Sequence, residues 1–276
     1  MAFEHLQTEH LNLLKQALTG IHLANYGEFK PKYSGGDTFR LKPLYLLDRF
    51  LKKRGYSICQ EVPFDHKPWA NGKVHAHKMD TMVGLARLDN FQWCIESVLR
   101  NKVPGAIVET GVWRGGASIL AEAVLHLHQA TDRILALFDT FDGLPPADPR
   151  YAADAGDLLH TIGYLKASIE LVRYNFSKYG LLYDNVQFFK GLAEETMPIA
   201  PIEQVAVLRI DLDMYRGVYG ALQAMYHKVT PGGFIIIDDW GSMPACRKAV
   251  EDFWKENNIQ PSYNIIDNDG IFWQKL

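Results

Sequence analysis

The sequence predicts an α/β fold in which a mostly parallel β-sheet is covered by helices on both faces. From about residue 81 onward, short apolar runs alternate with amphipathic segments of helical periodicity. Most of these apolar runs are continuous, which is typical of strands buried on both faces of a parallel sheet. The last two runs are short and are joined by "NDG", a hairpin signal that adds an antiparallel edge.

The first part of the chain differs in character from the rest. Helical patterns cover residues 5–25 and 41–55, and the stretches beside them are rich in Gly, Pro, Lys and aromatic residues. Irregular sequence of this kind is typical of mobile surface segments. We therefore divide the chain into a helical and irregular region, residues 1–80, and a core, residues 81–276. We expect the first region to act as a lid and to help bind the acceptor.

Within the core the patterns predict seven strands, the last two forming the hairpin. The predicted strands are residues 105–111, 133–141, 186–191, 205–213, 232–240, 262–267 and 270–276. The predicted helices are residues 81–102, 113–130, 156–180, 215–229 and 244–258. Ligands of such a sheet bind beyond the carboxyl ends of its strands, so the residues that follow the strands are the candidates for function.

Composition excludes several classes of protein. The formal net charge of the 276-residue chain is −3, which argues against a general binder of nucleic acid or of an anionic membrane. No apolar run approaches membrane-spanning length, and the N-terminus lacks the features of a secretory signal. Three widely spaced cysteines predict reduced thiols and a cytoplasmic location.

The turn after the first core strand, "VETGVWRGGAS", predicts a nucleoside ligand without a pyrophosphate. Its glycines have the spacing GxxxGG, whereas a dinucleotide site has GxGxxG, and Trp113 occupies the position of the second glycine of that motif. S-adenosylmethionine fits this pattern. Glu109 would meet its ammonium group, Gly111 would let the chain pass close, and Ser118 or the helix N-terminus would meet its carboxylate.

The second strand ends in "LFDTFDGLP", which supplies an acid for the ribose. We expect Asp139 to accept hydrogen bonds from the ribose hydroxyls and Phe141 to lie against the adenine, while Asp142-Gly143 forms a turn. Three further residues complete the expected contacts with the cofactor at this edge. Thr110 follows Glu109, Thr140 follows Asp139, and Gly191 ends the third predicted strand.

Two further strands end in paired aspartates, in "RIDLDMY" and "IIIDDWG". Asp211, Asp238 and Asp239 should meet at the sheet edge, and carboxylates brought together need a positive charge between them. Oxygen ligands favour Mg²⁺ or Mn²⁺ over zinc. If Asp213 is still within the strand, alternation sends it to the same face as Asp211, where it would be free to act as a general base. The alternative is a solvated acidic rim without an ion.

Six segments together resemble the macrocin O-methyltransferase family, whose members methylate sugar hydroxyls of macrolide and aminocoumarin antibiotics. The resemblance runs from about residue 80 to the C-terminus. The segments are "TMVGLARLDN", "VETGVWRGGAS", "FDTFDGLPP", "VLRIDLDMY", "PGGFIIIDDW" and "ACRKAVEDF".

The resemblance implies a Rossmann-like class I methyltransferase fold, S-adenosylmethionine and Mg²⁺. It implies Asp211, Asp238 and Asp239 as metal ligands and Asp213 as the general base, and it places Thr81 and Met82 near the cofactor. It also implies a small-molecule acceptor with neighbouring hydroxyls and a homo-oligomer. The family usually has Gly at position 212, Glu-Ser-Thr at 216–218 and His at 80, whereas this chain has Leu212, Arg216-Gly217-Val218 and Asp80.

Other functions remain open at this stage. A catechol-type O-methyltransferase shares the cofactor and the metal, but it typically has Asp-Asn where this chain has Asp238-Asp239. The acceptor hydroxyl could also belong to a peptide-derived scaffold. A protein that binds the cofactor without chemistry is a more distant alternative, because such a protein has no need of a base at Asp213.

Overall fold

The computed structural model describes residues 2–21, 26–28, 43, 46–51, 53–54, 56, 59–61 and 79–276. Residues 46–51 are helical. The remaining α-helices discussed here are α1 (Ala2–Thr19), α2 (Leu85–Arg100), α3 (Gly116–Leu127), α4 (Ile169–Lys178), α5 (Ala193–Thr196), α6 (Tyr215–Met225) and α7 (Pro244–Glu256). The strands are β1 (Tyr26–Glu28), β2 (Cys59–Glu61), β3 (Ala106–Thr110), β4 (Leu135–Asp139), β5 (Val186–Lys190), β6 (Val205–Ile210), β7 (Val229–Ile237), β8 (Asn264–Ile265) and β9 (Ile271–Gln274).

A seven-stranded sheet of order β5-β4-β3-β6-β7-β9-β8 forms the centre of the core. Strands β3 to β7 pair in parallel, whereas β9 pairs antiparallel with β7 and β8 antiparallel with β9. The predicted sheet with its closing hairpin is therefore confirmed. Strands β1 and β2 form a small antiparallel pair in the N-terminal region, where the sequence predicted irregular structure.

The order of the strands creates a crevice at the carboxyl edge of the sheet. The chain proceeds outward from β3 to β4 and β5 on one side, and through β6 and β7 on the other. The loops that leave β3 and β6 consequently diverge to opposite sides. This topological switch point is where open α/β sheets bind their ligands.

Both faces of the sheet are buried, which explains why its strands are continuously apolar. All residues of β3 and β6 are buried. Neighbouring strand residues enter different cores: Ile107 packs in the core that contains α2 and α3, and Val108 packs in the core that contains α6 and α7. Leu11 and Leu18 attach α1 to the first of these cores.

The long predicted helix at residues 156–180 is wrong in its first half. Only Ile169–Lys178 is α-helical, and it is preceded by 3₁₀ turns at Ala152–Asp154, Leu159–Thr161 and Gly163–Leu165. Gly156 has a φ of +84°, which no right-handed helix allows. Ser168 then caps α4 by accepting a hydrogen bond from the Leu171 amide at 3.3 Å.

Most of the predicted lid falls outside the described residues, which leave out 22–25, 29–42 and 62–78. Its action as a lid stays a prediction. Among the helices that are described, none combines the length and the apolar character needed to cross a membrane.

Glu122 of α3 is a fully buried acid that lacks a cation partner among the described residues. Its Oε2 accepts a hydrogen bond from Asn185 Nδ2 at 2.9 Å, while Glu122 Oε1 and Asn185 Oδ1 have no partner. Burial raises the pKa of Glu122 from 4.5 to about 7, although the hydrogen bond from Asn185 opposes the shift. A protonated Glu122 could therefore donate a hydrogen bond, whereas the ionised carboxylate would leave both oxygens, Glu122 Oε1 and Asn185 Oδ1, without a donor.

We predict that Glu122→Gln stabilises the protein at pH 8 by about 1–3 kcal/mol and has a smaller effect at pH 5. The pKa is raised in the folded state, so the unfolded chain loses this proton first as the pH rises. The wild-type free energy of unfolding should consequently fall between about pH 4.5 and 7, and the variant should lack this fall. Urea unfolding at both pH values measures the difference. The exposed Glu203→Gln is the control, and an equal effect of Glu122→Gln at both pH values would contradict the prediction.

Candidate active site

A cleft opens at the carboxyl edge of the sheet, beside the switch point between β3 and β6. The cleft and its open mouth together hold about 870 Å³. Its walls come from the turns after β3, β4, β5 and β6 and from the first turn of α6. The lining residues are Met82, Thr110, Gly111, Trp113, Asp139, Thr140, Gly143, Leu144, Pro145, Leu165, Gly191, Leu192, Ala193, Glu194, Asp211, Leu212, Asp213, Met214, Arg216 and Gly217.

Gly111 is required by the close approach of two strand ends. It has a φ of +85°, and a Cβ at this position would lie 1.6 Å from the carbonyl oxygen of Asp211. The Asp211 amide in turn donates to the carbonyl of Thr110 at 2.9 Å. The glycine thus lets the turn after β3 cross the end of β6, which brings the predicted cofactor residues next to the predicted metal ligands.

Gly116 lets the backbone at Asp80 pack against the turn that follows β3. Its amide donates to the carbonyl of Asp80 at 2.9 Å, and a Cβ on Gly116 would lie 2.6 Å from that oxygen. The carboxylate of Asp80 accepts hydrogen bonds from Lys178 at 2.6 Å and from Tyr179 at 2.7 Å. These contacts place the neighbouring Met82 in the wall of the cleft.

Asp139 organises the turns that follow β3 and β4. Its Oδ2 accepts hydrogen bonds from the amides of Val112 at 2.7 Å and Trp113 at 3.1 Å, and its Oδ1 accepts one from the Phe141 amide at 2.7 Å. Burial raises the pKa of Asp139, and these backbone hydrogen bonds oppose the rise. Asp139 lines the cleft, so its expected role toward the ribose stays a prediction beside the structural role seen here.

The predicted cofactor residues divide into two groups. Residues in the wall of the cleft are Met82, Thr110, Gly111, Asp139, Thr140 and Gly191. Residues packed behind this wall are Thr81, Glu109, Ser118 and Phe141. The ring centroid of Phe141 lies 6.1 Å from that of Phe188, within the core, so the structure does not bring Phe141 into the wall of the cleft.

One buried polar atom in the cleft wall lacks a partner. Thr110 is fully buried, it lines the cleft, and its Oγ1 makes no hydrogen bond within the part of the chain that is described. A hydroxyl in this position is available to a polar ligand group. Together with the close backbone approach at Gly111 and the positive φ of Gly191 (+146°), it fits a cleft that receives a nucleoside cofactor.

Beneath the cleft lies a buried guanidinium that the sequence interpretation missed. Arg209 of β6 has 1% of its side chain exposed. It donates to Glu109 Oε1 at 2.5 Å and to Asp211 Oδ2 at 3.0 Å, and it also bonds Asp238 Oδ1. Glu109 is held from its other side by the hydroxyl of Ser118. A charged residue inside the apolar run "VAVLRI" was the signal for this arrangement.

A second buried arginine reaches the same cluster from α2. Arg87 bonds Asp238 Oδ2, and its Nε donates to Asp267 at 3.1 Å. Its signal in the sequence was a charge on the helical face that also carries Phe91 and Cys94. Both oxygens of Asp238 are therefore held by arginines.

Three of the four aspartates form a cluster suited to a cation. Asp211, Asp238 and Asp239 each offer one carboxylate oxygen, and these oxygens lie within 4.8 Å of one another. Asp213 lies outside this group but faces the same cleft. Within the described part of the chain, neither Asp213 nor Asp239 has a cationic side chain within 4 Å, so the arginines balance only one side of the cluster. Hard oxygen donors with this excess of negative charge fit a divalent cation.

Asp213 reaches the cleft by a route different from the one that the sequence suggested. Strand β6 ends at Ile210, so strand alternation does not orient Asp213. Instead Asp213 has a φ of +57°, at the centre of a three-residue turn in which the Met214 amide donates to the Leu212 carbonyl at 2.5 Å. The Asp213 amide donates to Asp239 Oδ2 at 3.1 Å, which holds this unusual turn in place.

The crowded carboxylates perturb one another. Burial, followed by the charges of Asp211 and Asp238, raises the pKa of Asp213 to about 7. Burial and the charge of Asp238 raise the pKa of Asp211 to about 6 against the opposing effect of Arg209. Burial and its aspartate neighbours raise the pKa of Asp239 well above the ordinary value. Burial is the largest cause of each shift, and the neighbouring negative charges add to it.

Two departures from the usual family pattern lie against each other in the cleft wall. Leu212 and Gly217 both line the cleft, and a Cβ on Gly217 would lie 3.2 Å from Leu212 Cβ. The absence of a side chain at position 217 therefore leaves room for the leucine at position 212. The two differences form one local change in the shape of the wall.

Comparison with known proteins shows that the chain is similar to O-methyltransferases. Residues 7–275 match the family described as macrocin-O-methyltransferase (TylF), so the likeness extends through the N-terminal region as well as the core. The chain is 40% identical over 224 residues to demethyldecarbamoylnovobiocin O-methyltransferase of Streptomyces niveus, covering 80% of this chain and 83% of the relative. It is 41% identical over 222 residues to mycinamicin III 3''-O-methyltransferase of Micromonospora griseorubida, covering 79% and 87%.

Two solved structures share the fold. The O-methyltransferase NovP superposes with a TM-score of 0.82 at 33% identity, covering 98% of this chain and 99% of that one. The calicheamicin methyltransferase CalS11 superposes with a TM-score of 0.55 at 17% identity, covering 90% and 98%, which shows likeness of fold alone. The family match and the relatives at 40% identity and above establish that the chain belongs to the macrocin O-methyltransferase family and is an S-adenosylmethionine-dependent O-methyltransferase.

Proposed function

We propose that this enzyme uses a divalent cation, Mg²⁺ or Mn²⁺, to methylate one hydroxyl of a glycosidic natural product. The observation that carries the proposal is the carboxylate cluster at the cleft: Asp211, Asp238 and Asp239 converge within 4.8 Å, with Asp213 beside them. Acceptors of relatives support the glycosidic class, because one relative methylates a rhamnosyl-tetracenomycin and another mycinamicin III. The acceptor is then a small molecule that presents the reacting hydroxyl beside a second oxygen, which is a methoxy oxygen in the rhamnosyl group of the tetracenomycin relative.

Asp211, Asp238 and Asp239 would hold the cation, and Asp213 would remain free of it. A cation bound there supplies Lewis acidity, which lowers the pKa of an acceptor hydroxyl. S-adenosylmethionine supplies the methyl group as an electrophile. Asp213 accepts the hydroxyl proton on its carboxylate, and its turn, anchored through Asp239, keeps that carboxylate directed into the cleft. Apolar wall residues such as Leu144, Pro145 and Leu165 exclude water from the reacting groups.

The remaining expectations continue as parts of this proposal. Residues 1–80 act as a lid that contributes to the acceptor site, and residues 81–276 form the catalytic core. The enzyme acts as a homo-oligomer in the cytoplasm. A catechol-type acceptor is the second candidate, since it also presents two neighbouring oxygens to a cation.

We expect turnover with glycosides and little or none with simple catechols. The panel consists of mycinamicin III, demethyldecarbamoylnovobiocin and catechol, each incubated with S-adenosylmethionine and Mg²⁺. Mass spectrometry detects the methylated product as a gain of one methyl group. Faster turnover of catechol than of either glycoside would reverse the assignment of the acceptor class.

Asp213→Asn should lower kcat by about 10²–10⁴-fold, because it removes the general base. Binding of S-adenosylhomocysteine and of Mn²⁺, measured by calorimetry, should stay within about twofold of wild type, because Asp213 lies outside the cluster of ligands. The control is Asp142→Asn, which changes an exposed carboxylate paired with Lys166. Turnover by Asp213→Asn close to that of wild type would remove Asp213 as the base.

Asp239→Asn should weaken Mn²⁺ binding by about tenfold or more while the protein stays folded. Asp239 is the suitable ligand to change, because it has no arginine partner within the described residues, whereas Asp238→Ala would leave Arg87 and Arg209 without their shared carboxylate. Binding is followed through the electron paramagnetic resonance of free Mn²⁺, and turnover is followed before and after removal of metal with EDTA. Full activity in EDTA, or unchanged Mn²⁺ binding by the variant, would contradict a metal at this cluster.

A further inference from the structure

The segment between β4 and α4, residues 140–168, is docked on the helix that follows Asp213. Its two ends belong to the cleft, where Gly143, Leu144, Pro145 and Leu165 form part of the wall. Its middle contains the 3₁₀ turn Ala152–Asp154 and crosses to the first turn of α6. The contact between this segment and α6 has no part in holding the cofactor or the cation in the proposed mechanism.

The contact depends on the carboxylate of Asp154, which is 2% exposed. Asp154 Oδ1 accepts a hydrogen bond from the Tyr215 amide at 2.7 Å, and Oδ2 accepts one from the Arg216 amide at 3.0 Å. These are the first two amides of α6, which have no partner within the helix, and the N-cap residue Met214 provides no side-chain bond. Asp154 therefore caps α6 from 61 residues away in the sequence. A carboxylate is also the favoured charge at this end of a helix.

Further contacts join the same segment to the same helix turn. Arg216 pairs with Asp148 of the segment at 3.4 Å. The rings of Tyr151 and Tyr215 lie 6.0 Å apart. The segment thus contacts α6 through backbone, ionic and aromatic groups, with the most buried of its acids at the centre.

The turn at Asp213 is held from two directions. On its amino side the Asp213 amide is bonded to Asp239, and on its carboxyl side α6 begins at Tyr215, whose amide is bonded to Asp154. Only Met214 separates the turn from the capped amide. A positive φ at a non-glycine residue is strained and persists only where its surroundings impose it. The start of α6 is one of those surroundings.

We propose that Asp154 is a positioning residue for Asp213: it fixes the first turn of α6 to residues 140–168 and so keeps the Asp213 carboxylate aimed into the cleft. The inference rests on the proposed role of Asp213 as the base. Residues 140–168 would then assist proton removal from the acceptor, in addition to forming part of the wall of the cleft. Loss of the cap should leave the cofactor site intact and reduce the rate of proton removal.

The test compares Asp154→Ala and Asp154→Asn with wild type. The control is Asp142→Ala, which removes an exposed acid of the same segment that pairs with Lys166. Steady-state kinetics use whichever glycoside, mycinamicin III or demethyldecarbamoylnovobiocin, is turned over faster. We expect kcat of Asp154→Ala to fall at least tenfold, while KM for the glycoside and the Kd for S-adenosylhomocysteine stay within about twofold. The kcat of Asp154→Asn should fall less, because the amide oxygen of the asparagine still accepts one of the two hydrogen bonds.

An unchanged kcat in both Asp154 variants would overturn the proposal. A fall in kcat that is matched by weaker binding of S-adenosylhomocysteine would do the same, since it would indicate general damage to the cleft. If Asp154→Ala does not fold, Asp154→Asn decides by the same split between kcat and KM.

Amide hydrogen exchange separates this inference from the proposed function. Exchange at residues 213–216 should rise at least tenfold in Asp154→Ala and stay unchanged in Asp142→Ala. If wild type methylates neither glycoside, the proposed acceptor class fails, and hydrogen exchange alone tests whether Asp154 holds the start of α6. Faster exchange in Asp154→Ala supports this contact, and unchanged exchange overturns it. If Asp213→Asn keeps wild-type turnover, the assignment of the base fails and the positioning role fails with it.

Discussion

The guanidinium of Arg209 lies between the carboxylates of Glu109, Asp211 and Asp238, almost without contact with solvent. Its position joins the ends of three strands. Glu109 lies near the end of β3, Asp211 directly follows β6 and Asp238 directly follows β7. Charges buried so completely lose several kcal/mol of hydration each, and this loss is offset only when every donor and acceptor has a partner. Removing one partner of such a group typically costs about 3–5 kcal/mol. The catalytic edge of the sheet therefore depends on an arginine that never reaches the cleft.

The balance of charge around this arginine explains how acids can be so close in a folded protein. Arg87 and Arg209 carry two positive charges. The acids of the cluster carry six negative charges when all are ionised, and they are Glu109, Asp211, Asp213, Asp238, Asp239 and Asp267. Among the described residues, the arginines bond Asp211 and Asp238 but not Asp239. The negative charge therefore exceeds the positive charge by four when every acid is ionised, and a divalent cation would offset two of these charges, which supports the proposed metal. Without such an ion, raised pKa values allow protonation to relieve the repulsion.

The sequence allowed the sheet and the location of the site to be predicted, because both follow from local patterns. Continuous apolar strands indicated a sheet buried on both faces, and the acids after those strands indicated its carboxyl edge. The same patterns could not predict the turn at Asp213 or the 3₁₀ turns before α4. Those features depend on distant partners: Asp239 bonds the Asp213 amide, and Asp154 caps α6. The arginine inside the apolar run at residues 205–210 signalled a buried charge, but the run itself could not show which carboxylates surround it.

The acids at the strand ends hold turns of the backbone in addition to the roles proposed for them in the reaction. Three turns at this edge contain a non-glycine residue with positive φ, namely Trp113, Phe141 and Asp213. A carboxylate accepts a hydrogen bond from the amide of each: Asp139 from Trp113 and Phe141, and Asp239 from Asp213. Such conformations cost about 1–3 kcal/mol each, and these bonds are part of what maintains them. One carboxylate oxygen can hold a turn while other lone pairs of the group stay directed at the cleft, since an ionised carboxylate accepts about four hydrogen bonds. The geometry of the site and the chemistry proposed for it thus depend on the same groups.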